Sequence, residues 1–321
     1  MSVIEATSVR SSARRATPRG KAFDPVFEGL CFVAAVTLLT ALGGVLISLA
    51  IGGWPAIAKF GFGFITGVTW DPVKDVYGAA GPIVGTLITA FVALLISLPV
   101  AGGVAFFLVE LCPQWLRRPI GTAVELLAGI PSIVYGMWGL FVFAPYFAAH
   151  VETPLMTSAA PGSFAEELFS GIPNGTGILA ASIILAIMIL PFMAATLREL
   201  LMTVPVQVRE SAYGLGATTG EVVLKVTLPY VRRGAIGAIM LGLGRALGET
   251  MAVTFIIGNS HAFPKGLFDA GSTIASTIAS EFNEASGLQA SALIALGLVL
   301  FVITFMALAL ARLMLRHQAR A

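Results

Sequence analysis

Charged residues are what this sequence has least of: 11% of its 321 residues, against 57% hydrophobic. A soluble domain carries about 25%, and so few charges cannot cover a water-facing surface for a chain of this length. A soluble globular protein is therefore excluded. There are only two cysteines, Cys31 and Cys112, in or beside apolar blocks and with no C-x-x-C spacing, so neither a disulfide framework nor a thiolate metal centre is expected. The three histidines, His150, His261 and His317, have no metal-ligand or catalytic spacing. No G-x-x-x-x-G-K-[ST] phosphate loop occurs, which excludes nucleotide hydrolysis by this polypeptide. No nucleophile–base cluster falls in the apolar stretches, so an intramembrane enzyme is excluded as well. No cofactor, metal or nucleic-acid partner is expected.

What the sequence does have is long apolar blocks. A bilayer calls for about 20 apolar residues per helix, and six stretches qualify: 28–51, 82–109, 119–147, 175–197, 234–258 and 288–311. The fold class is all-α, a polytopic membrane protein of six spans. Residues 1–27 read as a disordered basic tail ahead of an uncleaved first span, which is too long for a signal-peptide core. Residues 28–321 then form the membrane domain, with a core at about 82–316. Pro99, Pro131 and Pro191 are expected to bend their helices. The glycines at 43–44, 102–103, 234, 237, 242, 244 and 248 read as close-packing positions, with Gly244 and Gly248 a G-x-x-x-G pair.

Lysine and arginine set the orientation. With the N-terminus inside, fifteen fall on the cytoplasmic side: five in the tail, Arg117 and Arg118, five across 198–233, and Arg312, Arg316 and Arg320. Only Lys59, Lys74 and Lys265 fall outside. This positive-inside bias places both termini in the cytoplasm. The outer loops 52–81, 148–174 and 259–287 are either connectors or a docking surface for a soluble partner.

Two features carry chemistry. The first is the cytoplasmic loop at about 198–233. It reads Glu210-Ser211-Ala212, three residues, Gly216, nine residues, then Val226-Thr227-Leu228-Pro229. Residues 206–213 suit a short helix that Gly216 ends in a left-handed conformation. Thr218 or Thr219 suits a cap ahead of Glu221, and Pro229 is expected to break the chain before the fifth span. The second is Arg245, midway along that span, with Glu249 one turn on and on the same face. A charge at that depth is costly and faces a partner or a water-filled path. The pair reads either as a self-neutralising structural lock or as an anion site, since guanidinium stays charged and offers forked donors. Glu125 is expected to snorkel or to pair with Arg117 or Arg118. Ser132 and Tyr135 either line a path or pack helices.

The 210–229 spacing resembles the EAA loop of ABC-importer permeases, with Ser211 and Val226 as conservative departures. Further stretches resemble the PstC-type permease of phosphate importers: 62–67 with Trp70-Asp-Pro72, 115–121, 128–136, 244–253 and 271–275. The resemblance covers residue 60 to the C-terminus. It implies a MetI-like permease fold in the bacterial cytoplasmic (inner) membrane, carrying inorganic phosphate. It also implies a heterodimer with a PstA-type sister permease, a PstB-type ATPase dimer on the cytoplasmic side and a PstS-type phosphate-binding protein outside. ATPase contact maps onto Glu210, Ser211, Ala212, Gly216, Leu228 and Pro229, and the intramembrane charges onto Arg245 and Glu249. A carrier driven by an ion gradient would call instead for more buried carboxylates or histidines and for inverted repeats, and the sequence has neither.

Overall fold

The computed structural model describes residues 24–158, 160 and 162–317, so the basic tail lies outside the described residues up to position 23. Helix α1 spans Asp24–Phe60 and carries the first long apolar run. The chain divides into two bodies at Ser48. The first body contributes the N-terminal part of α1, whose residues 25–48 are exposed almost throughout. An apolar helix with so little protein cover needs lipid around it.

Besides two short helical turns, Gly63–Thr66 and Phe164–Leu168, the described residues of the second body hold nine longer helices. They are α2 (Ala80–Leu111), α3 (Gln114–Ala128), α4 (Ser132–Ser158), α5 (Ile178–Met202) and α6 (Val206–Gly214). After these come α7 (219–247), α8 (Met251–Ile256), α9 (Ile274–Glu281) and α10 (Gly287–His317). Among the described residues, five helices are long and apolar enough to cross a membrane: α1, α2, α4, α5 and α10.

Two expected spans are therefore not continuous. The stretch expected at 119–147 is split: α3 stops at Ala128, Gly129 closes its last turn, and Pro131 starts α4 in an extended conformation. Pro131 does more than bend this segment, because its ring disfavours a helical conformation at Ile130. The stretch expected at 234–258 is likewise broken. Helix α7 ends at Leu247 with Gly248 as its cap, and α8 begins at Met251.

Helix α5 is the buried centre, with two thirds of its apolar window inside the protein. It packs along α2, which buries Thr89, Ala93, Ser97, Ala101 and Ala105 at four-residue spacing, with Ser97 Oγ 3.6 Å from Met193 Sδ of α5. Lipid tails are as apolar as leucine, so such a ladder holds helices by close contact rather than by hydrophobic gain. The glycines expected to pack behave differently. Gly234 lies against Leu200 and Gly242 against Met193, but Gly102, Gly103, Gly237 and Gly244 face open space, and Gly248 meets only the Gly244 carbonyl. Alanine and serine, not the G-x-x-x-G pair, make the tight seam.

Beyond residue 49, α1 is clamped against α10. A Cβ on Gly53 would lie 2.9 Å from the Ala295 Cα of α10. Ser291 Oγ accepts from the Ala56 N–H at 3.2 Å and donates to the Gly52 carbonyl at 2.8 Å. After α1, a hairpin of two-residue strands pairs Trp70 with Tyr77, and Trp70 is only 8% exposed. Its indole N–H donates to Glu281 Oε2 at 3.0 Å, Gln289 donates to the same oxygen at 3.0 Å, and His261 Nε2 meets Oε1 at 2.5 Å. Burial pushes Glu281 up, but the bonds from His261, Gln289 and Trp70 outweigh it and hold the carboxyl below its ordinary value of 4.5. A lowered value means the carboxylate stabilises the fold above 4.5, and that contribution is lost as pH falls through the lower folded value. With Trp54, Trp115 and Trp138 replaced by Phe, the acid transition in Trp70 emission should lie below the free-glutamate value of about 4.3, and Glu281→Gln should abolish it.

Candidate functional site

The two breaks lie together. Helices α4 and α8 pack side by side, and a Cβ on Gly136 would lie 2.9 Å from the Ala252 Cα and 3.1 Å from the Met251 carbonyl. The peptide segments 129–131 and 248–250, each just ahead of these helices, are thus neighbours. Their depth follows from α5, which is unbroken. Gly242 meets Met193 and Gly139 meets Ile184, so the breaks sit at the level of the middle of α5. Arg245, three residues beyond Gly242, reaches about the halfway level at about 1.5 Å per residue.

Arg245 is partly buried. Its guanidinium carbon lies 5.7 Å from the centre of the Phe192 ring, a cation–π arrangement, and its Nε has no hydrogen-bond partner. Arg245 and Glu249 form no ion pair among the described residues. The same-face expectation fails because the helix stops at Leu247, which turns Glu249 away from the i, i+4 position. Glu249 Oε1 instead accepts the Ala252 N–H at 3.2 Å and caps the start of α8. Each charge is thus placed at a favourable helix end, the cation in the last turn of α7 and the carboxylate ahead of α8. The self-neutralising lock has no geometric support, and Arg245 keeps free donors.

Around the breaks, Gly129, Pro131, Ile133, Val134 and Gly248 are exposed, and Ser132, Glu249 and Thr250 partly so. Ser132 opens α4 without a side-chain cap. Tyr135 stands within electrostatic reach of Arg245 and donates to the Leu127 carbonyl at 3.0 Å, bridging the first break. The chain supplies one accessible wall here, not a closed pocket.

The loop after α5 forms the second assembly. Helix α6 carries Glu210, Ser211 and Ala212, and Gly216 follows in the left-handed region at φ +86°. Thr218 caps α7: its side chain accepts the Glu221 N–H, and the Glu221 carboxylate accepts the Thr218 N–H at 3.1 Å. Hydrogen bonds from Lys225 and then Thr218 lower Glu221 to about 2, so the cap stays charged throughout the physiological range. Val206, Leu215 and Leu224 are exposed, Leu215 by 90%, beside the exposed Glu210 and Ser211.

Pro229 does not break the chain. The backbone stays helical from 219 to 247, with an i→i+5 stretch at Val222–Thr227. Proline lacks the N–H of a normal turn and clashes with the carbonyl four residues back. A wider turn removes both problems, so loop and span form one rigid rod. Glu125 pairs neither with Arg117 nor with Arg118. It accepts from Arg198 Nη1 at 2.9 Å, while Arg117 Nη2 donates to the Val109 carbonyl at 2.7 Å. Sequence reading gave Arg198 no partner because its carboxylate is 73 residues away.

Comparison with known proteins agrees with this architecture. Residues 104–318 match the family described as binding-protein-dependent transport system inner membrane component. The phosphate transport system permease protein PstC of Pasteurella multocida is 54% identical over 281 residues, spanning 88% of either chain. The PstC of Mesorhizobium japonicum is 53% identical over 318 residues, spanning 98% of this chain and 96% of that one. Among solved structures, the inward-facing MetNI methionine ABC transporter covers 78% of this chain and 99% of its own, with TM-score 0.54 and 18% identity, a likeness of fold alone. The chain has the MetI-like permease fold and is a multi-pass membrane permease component rather than an enzyme, and it belongs to the PstC family of ABC-importer permeases.

Proposed function

We propose that this chain forms half of the membrane pore of an ATP-driven importer of inorganic phosphate, and that the two adjacent helix breaks form the narrow part of the path. The observation that carries this reading is Arg245, a cation with an unpartnered Nε, halfway along the bundle beside an open break. Discontinuous helices in the middle of a membrane are a recurrent way of presenting charge to a passing ion. Arg245 attracts the anion through forked donors that match phosphate oxygens. Glu249, with one oxygen committed to Ala252, offers the other to a proton on phosphate. Sulfate has no such proton near neutral pH, so the carboxylate favours phosphate over sulfate.

An accessible half-site calls for a second wall, which a PstA-type sister permease supplies. ATP hydrolysis comes from a PstB-type ATPase dimer bound at Glu210, Ser211, Ala212, Gly216, Leu228 and Pro229. A PstS-type phosphate-binding protein delivers substrate to the outer loops. The positive-inside bias supports a cytoplasmic (inner) membrane location with both termini cytoplasmic. In proteoliposomes containing the full complex, Glu249→Gln should lower phosphate uptake and let sulfate through. Unchanged phosphate uptake with sulfate still rejected would remove Glu249 from the selectivity role.

A further inference from the structure

A buried ion pair ties the coupling loop to the bundle. Arg209, the residue before Glu210, places Nη1 2.9 Å from Glu110 Oε1, with side chains only 17% and 8% exposed. Its Nη2 also reaches the Val204 carbonyl at 3.5 Å. Glu110 does not sit on regular helix. It lies in the Phe107–Leu111 segment that ends α2, where the backbone changes to i→i+5 bonding. That register frees carbonyls from their usual partners, and Arg117 of α3 takes one of them, Val109 O, at 2.7 Å. Three elements thus meet at one non-standard turn: the end of α2, the start of α3 and the coupling helix α6. Helix α2 in turn packs along α5 and α7, the helices that carry Phe192 and Arg245.

A buried ion pair is a weak source of stability, and an apolar pair of similar volume often does as well. A directional hydrogen bond from Nη1 to Glu110, with the other guanidinium arm on the Val204 carbonyl, does something an apolar contact cannot, because it resists sliding as well as separation. We infer that the Arg209–Glu110 pair is the strut that passes displacement of the coupling helix into α2, so both are positioning residues for transport. This inference rests on the ATP-driven reading above, and Glu110 and Arg209 touch neither substrate nor nucleotide in it.

The test uses the full complex, co-expressed and reconstituted, with phosphate moved and ATP hydrolysed measured in the same vesicles. Glu110→Gln and Arg209→Lys should each lower phosphate moved per ATP by at least about fivefold, the lower end of usual site-to-site couplings. The exchange variant, Glu110→Arg with Arg209→Glu, should recover most of the ratio. A purely structural role would change yield or melting and leave the ratio alone. A wild-type ratio in both single variants overturns the inference, and so does an exchange variant that restores neither assembly nor ratio. Failure of the wild-type complex to couple ATP to phosphate at all would instead overturn the functional reading on which it rests.

Discussion

Replacing Arg245 with Ala should abolish phosphate uptake while leaving the folded complex as stable as before or more so. Two charge-assisted hydrogen bonds to an anion are together worth about 3–6 kcal/mol, and each 1.4 kcal/mol is tenfold, so uptake should fall at least about a hundredfold. Arg245→Lys keeps the charge but loses the fork and should retain an intermediate rate. The stability half is as important. An arginine at mid-bilayer costs about 2.5–3.5 kcal/mol by insertion measurements, and here Nε has no partner to offset it. A residue kept for packing would lower the melting temperature when removed. A residue kept for transport should not. Uptake assays paired with thermal melts of the purified complex separate the two, and a large loss of stability with residual transport would return Arg245 to a structural role.

The second large effect concerns Gly216. Its φ of +86° lies where L side chains rarely sit, yet nothing stands within 4 Å of a Cβ built there. Backbone strain alone therefore sets the cost. Gly216→Val forces a β-branched residue into that region at about 1–3 kcal/mol, which the loop escapes by rearranging. The turn between α6 and the Thr218 cap is then lost, and co-purification of the ATPase should fall about tenfold or more. Gly220 is the control. It also has open space around it, but it lies inside α7 with no positive φ. Gly220→Ala should be neutral or favourable by about 0.5–1 kcal/mol. Equal ATPase recovery in Gly216→Val and Gly220→Ala would show that the left-handed turn plays no part in docking.

The coupling loop was legible in the sequence because its signals are local. A glycine at the left-handed position, Thr218 three residues ahead of Glu221, and a helical stretch before them all act over a few residues. The spans were legible because twenty apolar residues have one cheap conformation in lipid. The breaks were less so. Pro131 announces itself, but Gly248-Glu249-Thr250 contains no proline, and its fault comes from how α8 docks on Gly136 and α5. Pro229 misleads in the opposite direction, since an i→i+5 turn absorbs it at no loss of helix. The ion pairs Arg198–Glu125 and Arg209–Glu110 join residues 73 and 99 apart, and only tertiary contact decides such partners. Arg245 has a neighbour the sequence does not reveal: Phe192 and an open break stand where Glu249 was expected.

Phosphate should cross this chain only when a separate ATPase drives the coupling loop. The direct measurement is uptake of labelled phosphate into proteoliposomes loaded with ATP, with the binding protein outside, assembled with and without the ATPase. Uptake should require ATP and the ATPase, and should vanish in an ATPase variant that binds but does not hydrolyse ATP. Phosphate accumulation in vesicles that lack the ATPase, driven by a proton or sodium gradient, would contradict the account.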